Sequence, residues 1–187
     1  MYFLDLPNTM KQHRHLSKFL SLILRHKPET IGLQLDENGW ANVEELIQKI
    51  NATGQSIDHE LLNSIVVTND KQRFAFNEDK TLIRASQGHS IEVELQLKET
   101  QPPAFLYHGT VDKYITAIKA EGLKKMSRQH VHLSSSKETA TLVGSRRGKP
   151  VILIIDAPKM CEDGHLFYLS ENNVWLTDCV PAQYIQF

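Results

Sequence analysis

The chain is predicted to be an α+β protein of two lobes, and three observations predict it. Apolar residues recur at helical spacing through the first part of the chain and give way to a short alternating hairpin. Short strand-like runs dominate the second half. Between them lies KETQPP (98–103), polar and with two consecutive prolines, the composition of a short, stiff connection. The expected division is 1–96 for the first lobe, 97–103 for the linker and 104–187 for the second lobe.

In the first lobe Leu16, Phe19, Leu20, Ile23 and Leu24 share one helical face, and Pro28 stops continuation, so Arg25 and His26 belong to the last turn. Asn42 precedes Val43, Leu46, Ile47 and Ile50, with Glu45 placed as in a capping box. A third helix is expected from Asp58, carrying Leu61, Leu62 and Ile65. Arg73 to Phe76 alternates, Asn77 to Lys80 is a turn, and Thr81 to Ala85 returns as the partner strand. Helices followed by such a hairpin give a winged-helix-like lobe.

In the second lobe strands are expected at Ala104–Tyr107, His130–Leu133, Val151–Ile155, His165–Leu169 and Val174–Leu176. Two helices interrupt them, Lys113–Glu121 ended by Gly122 and Lys137–Val143 ended by Gly144, each glycine suited to a left-handed cap. The lobe is therefore mainly antiparallel β.

Composition narrows the function classes. The 41% hydrophobic content is ordinary for a globular protein, and no apolar run approaches the roughly 20 residues that span a bilayer. The amino terminus MYFLDLPNTMKQHRH lacks a basic start before an apolar stretch, so no secretory signal is expected, and the protein is expected to be soluble and cytoplasmic. Cys161 and Cys179 are too few and too isolated for a zinc site or a disulfide framework and are expected as free thiols. Net charge is −1, with 10 Lys+Arg against 13 Asp+Glu up to residue 95 and 11 against 9 beyond it. No global basic field points to non-specific DNA binding, so any phosphate recognition must be local.

Local candidates exist. Arg25 and His26 at a helix end, Arg73 at the hairpin and the pair Arg146-Arg147 between Gly144 and Gly148 together offer a cationic cage for a phosphate, because guanidinium groups grip phosphate oxygens bidentately. Each also has a structural explanation: cations favour the carbonyl end of a helix, a strand arginine can point to solvent, and basic glycine loops are often solvated surface. If Lys71 and Arg73 lie on one strand they share a face. In the second lobe His108-Gly109-Thr110 and His132-Leu133-Ser134 each space an imidazole two residues from a hydroxyl, on one face of a strand. Two enzyme classes use such pairs: two-histidine phosphoesterases and ADP-ribosyl transferases. The separation of 24 residues is short for the duplicated strands of the phosphoesterase, and His108-Gly109-Thr110 is expected to lead directly into a helix whose N–H groups face an anion. The segment Arg84 to Ser90 is a candidate seam beside the linker.

Several blocks carry a resemblance over nearly the whole chain: LSKFLSLILRHKPETIGLQLDENGWANVEEL, KQRFAF, IRASQGHSI, YHGT, HVHLS, VGSRRGKPVIL and FYLSENNVWLTDCVPAQYI. In that order they resemble the motifs of the KptA-like tRNA/RNA 2′-phosphotransferase family. The resemblance implies an enzyme of tRNA splicing or RNA repair that consumes NAD and removes an internal 2′-phosphate through an ADP-ribosylated 2′-phosphate. Its products are nicotinamide, dephosphorylated RNA and ADP-ribose 1″,2″-cyclic phosphate. It also implies an ADP-ribosyl-transferase-like NAD lobe at the carboxyl side and an RNA lobe at the amino side. By motif, the family's catalytic Arg-His-Arg-Arg group falls on Arg25, His26, Arg73 and Arg146, with the adjacent Arg147 as the alternative fourth member. Lys71 and Arg147 are expected to bind RNA phosphate, and His108, Gly109, Thr110, His132 and Ser134 to line the NAD pocket. The expected partner is 2′-phosphorylated RNA or tRNA, the expected state a monomer, and no metal is implied. The family often has Asn-Gly where this chain has Asn172-Asn173, a departure expected to affect a turn.

Overall fold

The computed structural model describes residues 6–69 and 71–187. The amino-terminal stretch read as lacking a secretory signal begins in residues 1–5, which lie outside the described residues. The protein has a mixed α+β fold, helical in its amino-terminal region and rich in β-sheet in its carboxyl-terminal region. The chain forms two compact units, Met1–Leu95 and Gln96–Phe187, each with its own apolar core.

Unit 1 starts with helix α1 (Leu6–Arg25), whose apolar stripe buries Leu16, Leu20, Ile23 and Leu24. Strand β1 (Ala41–Asn42) leads into α2 (Val43–Ala52), where the Asn42 side chain accepts from the Glu45 N–H at 3.0 Å and so satisfies one orphan donor of the first turn. Asp58 caps α3 (His59–Val67) in the same way, accepting from the Leu61 N–H at 2.8 Å. The hairpin is β2 (Phe74–Phe76) and β3 (Leu82–Ala85), and β1 joins it to give an antiparallel sheet in the order β1-β3-β2. Leu46, Ile50, Leu62, Phe74 and Ile83 meet α1 in one core, so truncating any of them leaves a cavity costing about 2–5 kcal/mol. The two-residue β1 escapes a reading by alternation because it is too short to alternate.

Unit 2 is built on β4 (Phe105–Val111) and β7 (Pro150–Asp156), antiparallel over seven residue pairs from Phe105 with Asp156 to Val111 with Pro150. The last strand, β11 (Ile185–Gln186), covers the other edge of β7. A second sheet has the order β6-β9-β8, from β6 (Val131–Leu133), β8 (Tyr168–Leu169) and β9 (Trp175–Thr177). A third pairs β5 (Leu123–Lys124) with β10 (Cys179–Val180). Helix α4 (Ile115–Glu121) ends at Gly122, which is not the expected left-handed cap: its φ of +73° is paired with ψ −169°, a region only glycine adopts freely, and a Cβ there would lie 2.2 Å from the Val180 carbonyl oxygen. Residues 98–103 are held to this unit, since the Thr100 N–H donates to the Phe167 carbonyl at 2.9 Å and Glu99 bridges Tyr168.

Four more expectations change. His108-Gly109-Thr110 does not lead directly into a helix: β4 continues through Val111, and a 3₁₀ turn (Asp112–Tyr114) precedes the seven-residue α4, so hydrogen bonding to β7 keeps the motif extended. Gly144 is not a left-handed cap. It lies inside α5 (Lys137–Gly144) with φ −62°, because that helix packs on β4 and a Cβ at Gly144 would stand 3.0 Å from the Thr110 carbonyl oxygen. Lys71 and Arg73 do not share a strand face, since β2 begins at Phe74 and Gln72 has φ +41°, which breaks the alternation. A third helix, α6 (Ala157–Glu162), follows β7, capped by Asp156 despite Pro158 in its first turn, where the missing N–H costs nothing.

Candidate active site

In unit 1 the carboxyl end of α1 and the residues before β2 come together. The Arg25 guanidinium reaches across to the Arg73 carbonyl, Nη2 to O 3.3 Å, and lies 6.0 Å from the Phe74 ring centroid. That carbonyl also accepts the Ser86 N–H at 2.9 Å, so the backbone at Arg73 is held from two sides. Arg73 turns its own Nη1 to Asn69 Oδ1 at 3.3 Å, and Asn69 Nδ2 donates to Ser17 Oγ on α1 at 3.3 Å. The buried Asn69 therefore ties the second arginine to the same helix that ends in the first. Lys71 is exposed beside this group, its N–H also on Asn69 Oδ1.

His26 stands one residue past the helix. Its Nδ1 lies 2.8 Å from Ser90 Oγ, and the Ser90 N–H donates to the Arg25 carbonyl at 2.9 Å, so one serine braces both the ring and one of the helix's terminal carbonyls. The adjoining His89 is fully buried, and neither ring nitrogen has a hydrogen-bond partner among the described residues. Burial first, then the charges of Arg25, His26 and Arg84, push its pKa down to about 4, so it is neutral near pH 7. The Arg84 guanidinium stacks 4.4 Å over the Trp40 ring in the same unit. The segment Arg84 to Ser90 thus has a structural part that the sequence did not specify: through Ser90 it braces the Arg25-His26 corner.

In unit 2 the two histidine motifs are brought together by a β-bridge between Tyr107 and Ser134, whose N–H and carbonyl groups exchange two hydrogen bonds of 2.8 Å. His108 Nδ1 donates to the His132 carbonyl at 3.1 Å; a carbonyl only accepts, so the proton is on Nδ1 and Nε2 keeps its lone pair. Burial lowers the His108 pKa, the bond to His132 opposes the shift, and the charges of Arg128 and Arg147 add to it, so the ring is neutral. Arg128 Nη1 lies 2.9 Å from His132 Nδ1. Thr110 is buried on the His108 face of β4.

Gly109 faces the other way. A Cβ there would lie 1.8 Å from the Ala140 carbonyl oxygen, so this glycine lets α5 sit directly on β4. Arg146 and Arg147 occupy the exposed 3₁₀ turn Ser145–Arg147 at the end of α5, in the same unit as the histidine pair. Among the described residues no group of three or more His, Cys, Asp or Glu side chains is placed to hold a metal ion, and no helix is long and apolar enough to cross a membrane. Sequence reasoning missed Ser90, Asn69 and Arg128 as contributors. Ser90 lay inside a block already singled out, whereas Arg128, in an irregular segment with no periodic pattern, left no signal at all.

The chemistry of each unit is coherent by itself. Unit 1 offers two guanidinium groups and an imidazole at one corner, suited to a phosphate oxyanion. Unit 2 offers an imidazole acceptor and a second imidazole held by an arginine. Comparison with known proteins gives these groups a context. The family model described as RNA 2′-phosphotransferase, Tpt1 / KptA family, matches residues 11–179. A probable RNA 2′-phosphotransferase of Flavobacterium johnsoniae is 66% identical over 174 residues, covering 93% of this chain and 96% of its own. Proteins of the same description from Fusobacterium nucleatum and Rhodopirellula baltica are 62% and 55% identical, covering 92% and 95% of this chain and 97% of each relative. With a family model spanning most of the sequence and such relatives matching nearly end to end, the chain belongs to the Tpt1 / KptA family of RNA 2′-phosphotransferases.

Proposed function

We propose that the protein is an NAD-dependent RNA 2′-phosphotransferase that removes an internal 2′-phosphate of the tRNA-splicing type, with unit 1 as a winged-helix-like RNA lobe and unit 2 as an ADP-ribosyl-transferase-like NAD lobe. The observation that carries this is the corner at the end of α1, where Arg25 contacts the backbone of Arg73 and His26 is braced by Ser90. Like charges gathered at one corner call for an anion, and a phosphate monoester carries two negative charges for guanidinium groups to share.

The residues of unit 2 fit a dinucleotide. His108 presents an acceptor at Nε2, and His132 accepts at Nδ1 from a group that can only donate, which leaves its ring proton on Nε2. One acceptor and one donor are what two neighbouring ribose hydroxyls need. Bound NAD supplies an electrophilic ribose carbon with nicotinamide as its leaving group.

Arg25 and Arg73 hold the RNA 2′-phosphate and orient an oxygen as nucleophile, a role that needs positioning more than a strong base. During phosphoryl transfer charge builds on the phosphate oxygens, and Arg25 and Arg73 stabilise it without reorganising; the family motif makes Arg146, with Arg147 beside it, the fourth member of the catalytic group. His26, engaged at Nδ1 by Ser90, exchanges a proton at Nε2 with the RNA hydroxyl. Lys71 adds a phosphate contact at the edge. The test is incubation of the pure protein with NAD and an RNA carrying one internal 2′-phosphate, with products identified. Nicotinamide, RNA with a free 2′-hydroxyl and ADP-ribose 1″,2″-cyclic phosphate are expected. Phosphate loss without NAD would overturn the proposal, and RNA that keeps an ADP-ribosyl group as end product would replace it with simple ADP-ribosyl transfer.

A further inference from the structure

Arg128 is given no ligand to bind in the functions assigned so far, yet it makes one of the most restrictive contacts in unit 2. It lies between β5 and β6, where its N–H donates to the Lys125 carbonyl at 3.1 Å and closes a turn that includes Met126 at φ +56°. From that turn Nη1 meets His132 Nδ1 at 2.9 Å. It forms no ion pair with a carboxylate among the described residues, although it sits close enough to Arg147 for the two charges to repel. A guanidinium set beside another cation, with an imidazole rather than a carboxylate as partner, is poorly explained by stability.

We propose that Arg128 is the positioning residue that sets the tautomer of His132, and through it the polarity with which the histidine pair meets a ligand diol. Arginine donates and never accepts, and it keeps its proton at every physiological pH. His132 must therefore offer a lone pair at Nδ1 and carry its proton at Nε2. His108 is locked in the opposite sense by the His132 carbonyl, with its proton at Nδ1 and its lone pair at Nε2. The two rings, bridged through the backbone of His132, present one donor and one acceptor. Without the Arg128 donor the requirement for a lone pair at His132 Nδ1 is removed, and the pair loses that fixed complementarity. The ligand assignment rests on the proposed NAD-binding role of unit 2; the tautomer assignment does not.

The experiment separates the two. Long-range ¹H–¹⁵N correlation spectra of histidine-labelled protein without ligand read each ring's tautomer directly. His132 is expected as the Nε2–H form in the native chain, as a mixture of states in Arg128→Met, and again as Nε2–H in Arg128→Lys, whose ammonium also only donates. Calorimetry on the same proteins should show NAD binding weakened about 10–100-fold in Arg128→Met, the worth of a charge-assisted hydrogen bond, and largely restored in Arg128→Lys. ADP, which lacks the second ribose, should bind all three alike. A native Nδ1–H form of His132, or tautomers unchanged in Arg128→Met, would overturn the proposal. An equal loss of ADP binding would overturn it too, by showing that Arg128 contacts phosphate directly. Tautomers that shift as expected in proteins that bind no NAD would support the coupling while refuting the dinucleotide role of unit 2.

Discussion

Both units hold a histidine by Nδ1, but the partners differ in kind. In unit 1 the partner of His26 is the Ser90 hydroxyl, which donates or accepts as required. In unit 2 the partners are the His132 carbonyl, which only accepts, and the Arg128 guanidinium, which only donates. A hydroxyl tolerates gain and loss of a ring proton, whereas a carbonyl or a guanidinium forbids one of the two states. The comparison teaches a difference of constraint at Nδ1: His26 keeps both ring states open there, whereas His108 must hold a proton and His132 a lone pair.

The sharpest way to break this contrast is at Arg73. Arg73→Ala should lower 2′-phosphate removal by roughly 10²–10³, the cost of one preorganised charge contact, while nicotinamide release falls less, because the charge it meets grows during phosphoryl transfer. Single-turnover measurements of both products check this. Equal losses would make Arg73 a holder of RNA rather than a stabiliser of the transition state.

His89 supplies the next effect, on stability. It titrates near 6.5 when unfolded and at about 4 in the fold, so between those values the unfolded chain binds more protons. Stability from this group is complete above about pH 6.5 and is lost as pH falls towards 4, by about 3 kcal/mol in all. His89→Leu should lessen the fall in melting temperature between pH 7 and 4 relative to the native chain. Identical slopes would assign acid sensitivity to other groups.

Ser90→Ala should slow phosphate removal about tenfold, the worth of one hydrogen bond to the imidazole proposed to exchange the proton, with NAD affinity unchanged and Ser90→Thr restoring the rate. A loss of NAD affinity of the same size would erase the distinction between the units. The smallest effect is at Asn173, which sits at φ +58° in the turn between β8 and β9. Asn173→Gly should raise stability by at most about 0.5 kcal/mol in thermal unfolding, since asparagine already tolerates that backbone region.

What could be seen in the sequence follows how local the physics was. The stripe of α1, the Asn42 and Asp58 caps and the hairpin are set by neighbours a few residues away. Gly144 misled because its requirement is tertiary, an approach to β4 and not a chain reversal. For the same reason His108-Gly109-Thr110 stays in a strand that β7 holds from the far side. Within the candidate site, Arg25, His26 and Arg73 were visible as residue types. That Asn69, 52 residues from its partner Ser17, and Ser90, 64 residues from His26, would brace them was not, since no periodicity links such distant positions.

The approach of α5 to β4 sets an unusual limit on how this protein can vary. At Gly109 a single methyl group would collide with the backbone at Ala140, and at Gly144 it would press on the backbone at Thr110. With no side chain between helix and strand, there is no soft layer to absorb a substitution. The outer face of α5, where Leu142 and Val143 are exposed, is free to drift. At the two glycines only hydrogen fits without a shift of the backbone, and the turn bearing Arg146 follows directly from the helix they seat. The spacing between His108 on the strand and the arginine turn is thereby fixed by two missing methyl groups.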